Sequence, residues 1–398
     1  MKYLILVGDG MGDRPLPELA GRTPLEAART PAMDRLARQG EISLLRTIPD
    51  GYPPGSDVAN LSLLGYRPEE CYTGRAPLEA ASMGVALAAD EVAFRCNLVT
   101  LDRQENGSVT MVDYSAGHIG TDEARELVLA LDEALGGEGL RFYPGVSYRH
   151  LFVCREGYPG LETVPPHDHT GRDVAAFWQR YLAVPGLAGI VEEAGRILAE
   201  HPMNAARRRQ GLNPANAIWL WGEGRTPAMA TLQERYGLSG ALISAVDLLK
   251  GIGTCAGLEI IKVEGATGYL DTNYQGKADA ALAAAARHDL VFVHVEAPDE
   301  AGHQGSLANK IRAIEDFDAR IVQPIVDGLQ GTEFRLALAM DHLTPLAIRT
   351  HAADPVPVVL YDSRRPRAGA GRFTEKEAAL AGRLFAAGNH FVEALLER

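Results

Sequence analysis

The sequence contains few cysteines and no long hydrophobic segment. Cys71, Cys96, Cys154 and Cys255 lie far apart and form no CxxC pair, which argues against a thiolate zinc site and against a disulfide framework. The N-terminal segment MKYLILVGDG has an apolar run of about six residues, whereas a signal-peptide core needs roughly 7–15 and a membrane-spanning helix about 20. We therefore expect reduced thiols in a cytoplasmic protein.

Positive charge is also scarce. Lys and Arg total 39 against 52 Asp and Glu, which gives a formal net charge of −13. Nucleic acids and anionic membranes require a basic surface that displaces counterions, so neither is expected as a partner. A small anionic substrate is compatible with this charge, because a few arginines suffice to bind it. The composition leaves the oligomeric state open.

The glycine-rich segment GDGMG lacks the spacing of nucleotide-binding loops. Gly8, Gly10 and Gly12 alternate, whereas a dinucleotide loop has the pattern GxGxxG and a P-loop has GxxxxGK[ST]. Small residues around an acid at a strand end instead allow a cation and the backbone to approach Asp9 closely.

The order of elements predicts an α/β fold. The 398 residues favour two domains, given roughly 150 residues per domain. An apolar strand at Tyr3–Gly8 precedes a helix at Pro31–Gln39, with Thr30 as N-cap and Gly40 beyond the end. Strands and helices alternate again after residue 239, in GALISAV, LEIIKV, a helix over 277–288, DLVFVHVEA, a helix over 309–329, FRLALAM and VPVVLY. This alternation indicates a parallel sheet covered by helices on both faces.

The middle of the chain has a different pattern, with polar turns, a strand pair around 142–153 and a helix over 186–201. Candidate ligands occur on both sides of this stretch, so we predict a discontinuous catalytic domain, 1–93 and 218–398, and a smaller α+β domain, 94–217, inserted into it.

Oxygen and imidazole side chains follow several predicted strands. These candidate metal ligands are Asp9, Ser56, Asp299, His303, Asp341, His342 and His351. Such donors suit hard or borderline divalent cations, and a hydroxyl among them is a nucleophile that a metal activates. Because ligands of α/β sheets bind at the carboxyl ends of strands, the residues are expected to share one crevice. The set predicts metal-dependent phosphoryl transfer.

Individually these residues have simpler explanations. Ser56 opens the apolar segment VANLSLL, where a serine is more often an N-cap than a nucleophile, although one residue can serve both purposes. A single DxxxH pair such as Asp299 and His303 is weak evidence for a metal site. The adjacent pair Asp341 and His342, at a second strand end, makes coincidence harder to maintain.

The chain resembles the cofactor-independent phosphoglycerate mutases of the archaeal type, in the alkaline phosphatase superfamily. The resemblance extends over nearly the full length, through VGDGMGDRP, SDVANLSLLGY, GRAPLEAASMG, DYSAGHI, YRHLFV, PPHDHTG, NPANAIWLWGEG, GATGYLDTNYQGK, EAPDEAGHQG and MDHLTP. It implies an alkaline-phosphatase-like parallel-sheet sandwich with the smaller inserted domain acting as a substrate-gripping lid.

The resemblance also implies a mechanism and two divalent metal ions, Mn²⁺ or Mg²⁺, with Zn²⁺ and Co²⁺ also compatible. One ion would be bound by Asp9, Ser56, Asp341 and His342, the other by Asp299, His303 and His351. Ser56 would take the phosphoryl group from 3-phosphoglycerate and return it to the other hydroxyl of glycerate, without bisphosphoglycerate. The residues implied for acid/base and substrate-binding roles are Asp168, His118, Arg149 and His167. Arg225 and Lys277 are further candidates for phosphate or carboxylate contacts, with a surface cation as the simpler explanation of each.

Two other hypotheses are compatible with the sequence. A related metal-dependent phosphatase or homoserine-kinase-like phosphotransferase would use the same residues. A non-catalytic sensor of phosphorylated metabolites is a third reading, and the intact Ser56 argues against it.

Overall fold

The computed structural model describes residues 1–369 and 371–397 and divides the chain into two compact units. One comprises Met1–Tyr72 and Ala228–Arg398, and the other is the continuous stretch Thr73–Pro227. The predicted borders at 94 and 217 are therefore misplaced relative to these units: residue 94 falls within a strand that begins at Glu91. The role of the smaller unit as a lid stays a prediction.

The strands of the described residues are numbered β1 to β13 and the α-helices α1 to α17, in chain order. The strands are Lys2–Gly8, Glu41–Leu45, Glu91–Arg103, Val109–Asp113, Leu140–Val146, Arg149–Arg155, Ala217–Gly224, Gly240–Ile243, Glu259–Ile260, Leu290–Val295, Phe334–Ala339, Val356–Asp362 and Leu384–Phe385. The helices are Pro24–Ala27, Pro31–Gln39, Ser56–Leu63, Pro68–Cys71, Ala76–Ser82, Thr121–Leu135, Ala175–Leu182, Leu187–Glu200, Pro202–Arg209, Leu232–Tyr236, Asp247–Cys255, Tyr274–Arg287, Ala297–His303, Leu307–Phe317, Gln323–Gly328, Glu375–Ala381 and Gly388–Leu396.

The larger unit is built on a sheet with the order β13-β2-β12-β11-β1-β10-β8-β9. At its centre β1 pairs in parallel with both β10 and β11. All six residues of β10 and of β11 are buried, as expected for strands covered on both faces. The carboxyl ends of β1, β10 and β11 therefore lie side by side at one edge.

One strand departs from the predicted parallel arrangement. β12 is antiparallel to both of its neighbours, β11 and β2. Parallel neighbours in sequence need a crossover connection, usually a helix. The segment from 340 to 355 that joins β11 to β12 contains no helix, so the chain returns in the opposite direction.

The helix predicted at Pro31–Gln39 has those bounds, but its N-terminus is capped differently from the prediction. Thr30 occupies the N-cap position without a side-chain capping bond. The carboxylate of Asp318 instead accepts hydrogen bonds from the backbone N–H groups of Ala32 and Met33, at 3.3 and 2.7 Å. A residue almost three hundred positions away thus replaces the local cap, which the sequence pattern did not indicate.

The smaller unit contains an antiparallel sheet in which β3 pairs with β4, β6 and β7. Phe94, Cys96 and Leu98 on β3 belong to a buried core that also includes Trp178 and Trp219. The alternate residues of β3, among them Arg95 and Asn97, point to the opposite face of the sheet.

Among residues 1–369 and 371–397, no helix combines the length and the apolar composition needed to cross a membrane.

Candidate metal centre

The structure brings the predicted ligands together at the carboxyl edge of the large sheet. Asp9 follows β1, Asp341 and His342 follow β11, and Asp299 and His303 lie on α13, which starts just after β10. His351 lies in the segment between β11 and β12, and Ser56 is the first residue of α3. Strands that share an edge therefore position residues that are up to 342 positions apart in the chain.

A first group surrounds the Ser56 hydroxyl. Its Oγ lies 3.1 Å from His342 Nε2. The same nitrogen lies 3.5 Å from Asp9 Oδ1 and 3.4 Å from Asp341 Oδ2. The N-cap of α3 is Gly55, so Ser56 does not cap the helix as a serine at this point of the sequence commonly does. Its hydroxyl contacts the imidazole of His342 instead.

A second group forms around Asp299. Its Oδ2 lies 3.1 Å from His303 Nε2, and its Oδ1 lies 3.6 Å from His351 Nε2. The two imidazoles approach each other with their Nε2 atoms 3.0 Å apart. His303 Nδ1 lies 3.0 Å from the carbonyl oxygen of Arg349, which fixes the orientation of the ring.

Neighbouring groups fix the carboxylates. Asp341 Oδ1 accepts a hydrogen bond from Gly10 N at 3.1 Å, and its Oδ2 accepts one from Asn60 Nδ2 at 3.0 Å. Thr344 donates its hydroxyl to Asp299 Oδ1. Gly10 has φ +59°, and a Cβ there would come within 2.6 Å of Asp299 Oδ1. A side chain at position 10 would therefore occupy the centre itself.

The surroundings of the centre shift the pKa values of its carboxylates in different directions. Asp9, Asp299 and Asp341 are at most 5% exposed, and no lysine or arginine among the described residues forms an ion pair with them. Burial and the charges of Asp341 and Asp299 raise the pKa of Asp9 well above its usual range. Burial also opposes ionisation of Asp299, but hydrogen bonds with His303 and His351 hold its pKa well below the usual value.

The donor set fits divalent cations. Ligand atoms of Asp299, His303 and His351 lie within 4.8 Å of one another, and so do those of Asp9, Asp299 and His342. Asp9 Oδ1 is buried without a hydrogen-bond partner, which is costly for a carboxylate oxygen unless a cation or donor meets it. Carboxylate oxygens with imidazole nitrogens are donors for Mn²⁺, Mg²⁺ and similar ions.

His294 is part of this centre and was not predicted from the sequence. It lies on β10, fully buried, with Nε2 3.0 Å from Asp9 Oδ2. Its Nδ1 lies 3.2 Å from Ser244 Oγ. Ligand atoms of Asp9, His294 and Asp341 form a third group within 4.8 Å. The sequence did contain a signal for this residue, because His294 is the single histidine in the apolar segment DLVFVHVEA and lies close to the carboxyl end of the strand.

Asn60 was also missed, although it stands four residues after Ser56 on the same helix and is fully buried. Residues at this spacing lie on one face of a helix. A buried amide one turn from the candidate nucleophile was therefore a usable signal.

Lys277 is not the surface cation of the simpler explanation. It is fully buried on α12, and its Nζ donates a hydrogen bond to the carbonyl oxygen of His294 at 3.3 Å. Burial lowers the pKa of Lys277 to about 8, with Glu296 opposing the shift. Whether Lys277 contacts a substrate stays a prediction.

The other predicted site residues lie in the smaller unit. Tyr114 contacts the rings of both His118 and His167, with ring centroids 6.2 and 6.1 Å apart. His167 Nε2 lies 3.8 Å from Asp168 Oδ1. Arg149 is exposed at the start of β6.

Arg225, also in the smaller unit, bonds the carbonyl oxygen of Ala89 at 3.1 Å and lies 3.8 Å from Glu156. These contacts place its guanidinium at the surface, and a substrate-binding role for it stays a prediction.

The amino-acid sequence is similar to those of known proteins. The profile of the family described as "2,3-bisphosphoglycerate-independent phosphoglycerate mutase" matches residues 37–204. A protein of Geobacter sulfurreducens named "Probable 2,3-bisphosphoglycerate-independent phosphoglycerate mutase" is 52% identical over 400 residues, covering 100% of both chains. The chain belongs to the 2,3-bisphosphoglycerate-independent phosphoglycerate mutase family. A member from Methanosarcina acetivorans is 56% identical over 365 residues, 91% of this chain and 90% of the relative.

A solved structure supports the fold. The cofactor-independent phosphoglycerate mutase from Thermoplasma acidophilum superposes with a TM-score of 0.66 at 27% identity, covering 100% of this chain and 99% of that one. The predicted family resemblance, the α/β fold class and the enzyme class, an isomerase of the phosphoglycerate mutase family, are confirmed by these relatives and this structure. The individual ligand assignments, the number of ions and the phosphoserine route stay predictions.

Proposed function

We propose that this chain interconverts 3-phosphoglycerate and 2-phosphoglycerate through a phosphoserine at Ser56, without 2,3-bisphosphoglycerate. The observation that supports this proposal most strongly is the position of the Ser56 hydroxyl, 3.1 Å from His342 Nε2, a nitrogen that also contacts the buried carboxylates of Asp9 and Asp341. A hydroxyl in such a site is a phosphoryl acceptor, whereas a purely structural serine has no need of this surrounding.

The residues of the centre would bind two metal ions and orient the ligands. Asp9, Asp341, His342 and Ser56 would hold one divalent ion, Mn²⁺ or Mg²⁺, and Asp299, His303 and His351 a second. When bound, the ions supply positive charge that lowers the pKa of the serine and stabilises the transferring phosphoryl group. Gly10 and Asn60 hold Asp341 from two sides, so the carboxylate is already oriented before substrate arrives.

In each step of the proposed transfer, one bond to phosphorus forms and another breaks, and the phosphoryl group returns to the molecule from which it came. Ser56 Oγ loses its proton and forms a bond to phosphorus while the bond from phosphorus to O3 of 3-phosphoglycerate breaks, and O3 takes up a proton. O2 of the retained glycerate then loses its proton and forms a bond to phosphorus, while the bond to Ser56 Oγ breaks and Oγ takes up a proton again. The first backbone N–H groups of α3, which starts at Ser56, would donate to the phosphoryl oxygens. Asp168 is the proposed proton shuttle and His118, Arg149 and His167 the proposed glycerate contacts.

The proposal is tested by incubating Mn²⁺-loaded protein with 3-phosphoglycerate in the absence of bisphosphoglycerate. We expect 2-phosphoglycerate to form with little free phosphate. Predominant phosphate release would instead favour a phosphatase, and binding without turnover would favour a sensor.

Matched serine variants test the phosphoserine route. Ser56→Ala should abolish turnover. Ser62→Ala, on the same helix, is the control, because the Ser62 hydroxyl only donates to the carbonyl oxygen of Thr47 at 2.7 Å. Substantial mutase activity in Ser56→Ala would rule out the covalent route.

A further inference from the structure

One face of the small sheet contains a cluster of arginines that the sequence did not single out. Arg95 on β3 pairs in register with Trp221 on β7, and Asn97, two residues on, pairs with Arg149 on β6. Residues directly opposite in a sheet, and those two apart in one strand, share a face. Arg95, Arg149 and Trp221 therefore lie on the same face of the sheet.

A buried glutamate joins two of these arginines. Glu79 on α5 lies with Oε1 3.0 Å from Arg75 Nε and with Oε2 2.9 Å from Arg95 Nε. The side chain of Arg95 is 6% exposed and that of Glu79 13%, whereas that of Arg75 is 35% exposed. Glu79 therefore holds one arginine inside the unit and one at its surface.

Trp221 forms the floor of the cluster. The guanidinium carbon of Arg95 lies 4.1 Å from the centroid of the indole ring, and that of Arg75 lies 5.9 Å away. Trp221 Nε1 donates to Asn97 Oδ1 at 3.0 Å, which fixes the ring. A guanidinium stacked on a fixed ring is pre-organised, so less conformational entropy is lost when it binds an anion.

The cluster has more positive than negative charge. Arg75, Arg95 and Arg149 all act on Glu79: burial raises the pKa of this carboxyl, but the three arginines outweigh burial and lower it. Burial, together with the charges of Arg75 and Arg149, lowers the pKa of Arg95 to about 10 against the opposing effect of Glu79. Arg149 forms no ion pair with any residue in the described part of the chain. Glu79 is thus acted on by three guanidinium groups in a protein whose overall charge is −13.

Aromatic contacts connect the cluster to the residues already implicated in substrate binding. The ring of His167 lies 5.5 Å from that of Trp221. On the other side Arg149 stacks on Tyr148 at 5.7 Å, and Tyr148 contacts His118 at 6.1 Å. The cluster and the two histidines are thus linked by side-chain contacts within the smaller unit.

We propose that Arg75 and Arg95, held by Glu79 and Trp221, form with Arg149 a binding site for an anionic group of a phosphorylated hydroxy acid. Its planar carboxylate and its tetrahedral phosphate each offer a pair of oxygens to which a guanidinium fork can donate two hydrogen bonds. The identity of this ligand rests on the proposed mutase function. Glu79 and Trp221 are positioning residues, whereas Arg75 is the partly exposed contact.

Arg75→Gln and Arg75→Lys test the site in the full-length, Mn²⁺-loaded protein. Arg141→Gln is the control, because Arg141 lies in the same unit and is bonded to Asp132. Binding of glycerate, inorganic phosphate and 3-phosphoglycerate is measured by titration calorimetry, and KM and kcat are measured for 3-phosphoglycerate. Thermal melts confirm folding.

We expect Arg75→Gln to weaken binding of 3-phosphoglycerate and raise its KM by about tenfold or more, as loss of a charge-assisted contact does. Arg75→Lys should recover part of the loss, because it keeps the charge without the fork. Weakened glycerate binding with unchanged phosphate binding would assign the site to the carboxylate, and the reverse would assign it to the phosphate.

Binding and KM within twofold of the unmodified protein in a folded Arg75→Gln variant would overturn the proposal. Arg95→Lys provides a second test: it keeps the charge beside Glu79, so a folded variant with unchanged binding would likewise count against the site. If the unmodified protein showed no mutase turnover but Arg75→Gln still lost anion binding, the anion site would stand and the mutase proposal would fail.

Discussion

Replacement of His294 should weaken metal binding although this residue belongs to neither predicted ligand set. Its Nε2 lies 3.0 Å from Asp9 Oδ2, and its Nδ1 lies 3.2 Å from Ser244 Oγ. With Oδ2 beside His294, the other oxygen of Asp9 faces His342. A chain of contacts from Ser244 through His294 therefore orients Asp9, as groups behind a ligand commonly do.

The expected magnitude follows from this contact. Burial lowers the pKa of His294 to about 4, so the ring is neutral at pH 7 and His294→Asn changes no charge. Loss of such an orienting contact typically weakens metal affinity by about 10–100-fold, which corresponds to roughly 1.4–2.7 kcal/mol. His294→Ala should weaken affinity at least as much, because it also leaves the Ser244 hydroxyl without this partner.

Titration calorimetry with Mn²⁺ measures the effect, and urea unfolding in a chelator shows whether the apoprotein still folds. His288→Asn is a matched control, because His288 Nε2 lies 2.5 Å from the carboxylate of Glu259 and neither residue belongs to the centre. A folded His294→Asn variant whose Mn²⁺ affinity stays within twofold of the unmodified protein would refute the reasoning.

Three further predictions concern stability. Lys277 has a pKa lowered to about 8 in the folded state against about 10.4 unfolded, so the unfolded chain binds more protons between these values. The unfolding free energy, measured by urea titration, should therefore rise from pH 8 to 10.4 by about 3 kcal/mol relative to that of Lys277→Met. A difference between the two proteins that does not change with pH would contradict this prediction. Lys310→Met leaves the fully buried Asp13 carboxylate without its 3.0 Å ion pair and should lower the free energy of unfolding by about 3–5 kcal/mol. A decrease below about 1 kcal/mol in urea titrations would argue against this prediction. Gly10→Ala forces an alanine to adopt φ +59° and brings its Cβ too close to Asp299. The substitution should therefore destabilise the fold by about 1–3 kcal/mol. An unchanged thermal unfolding temperature would show that this strain is absent.

The proximity of the candidate ligands could be predicted because it follows from sheet geometry. Asp9 and Asp341 each follow a buried strand, and the carboxyl ends of parallel strands meet at one edge. The helix at Pro31–Gln39 could be predicted because proline and glycine mark its ends locally. In both examples the signal lies within a few residues of the feature.

Features that depend on distant residues were missed. The cap of that helix comes from Asp318, which no local pattern indicates. His294 resembles any buried histidine until the fold places it beside Asp9. Arg95 shares a face with Trp221 only through the strand register, and the sequence alone gives no pairing between β3 and β7.

The central position of β1 has a consequence for synthesis on the ribosome. Tyr3 pairs with Leu290 on one side and with Arg335 on the other, so β1 cannot pair with either neighbour until β10 and β11 have been synthesised. At about 5–20 residues per second this delay is roughly 15–60 s, and the whole stretch 73–227 is translated within it. That stretch is contiguous and can fold during translation, while the apolar segment LILV stays unpaired and available to chaperones or to other nascent chains.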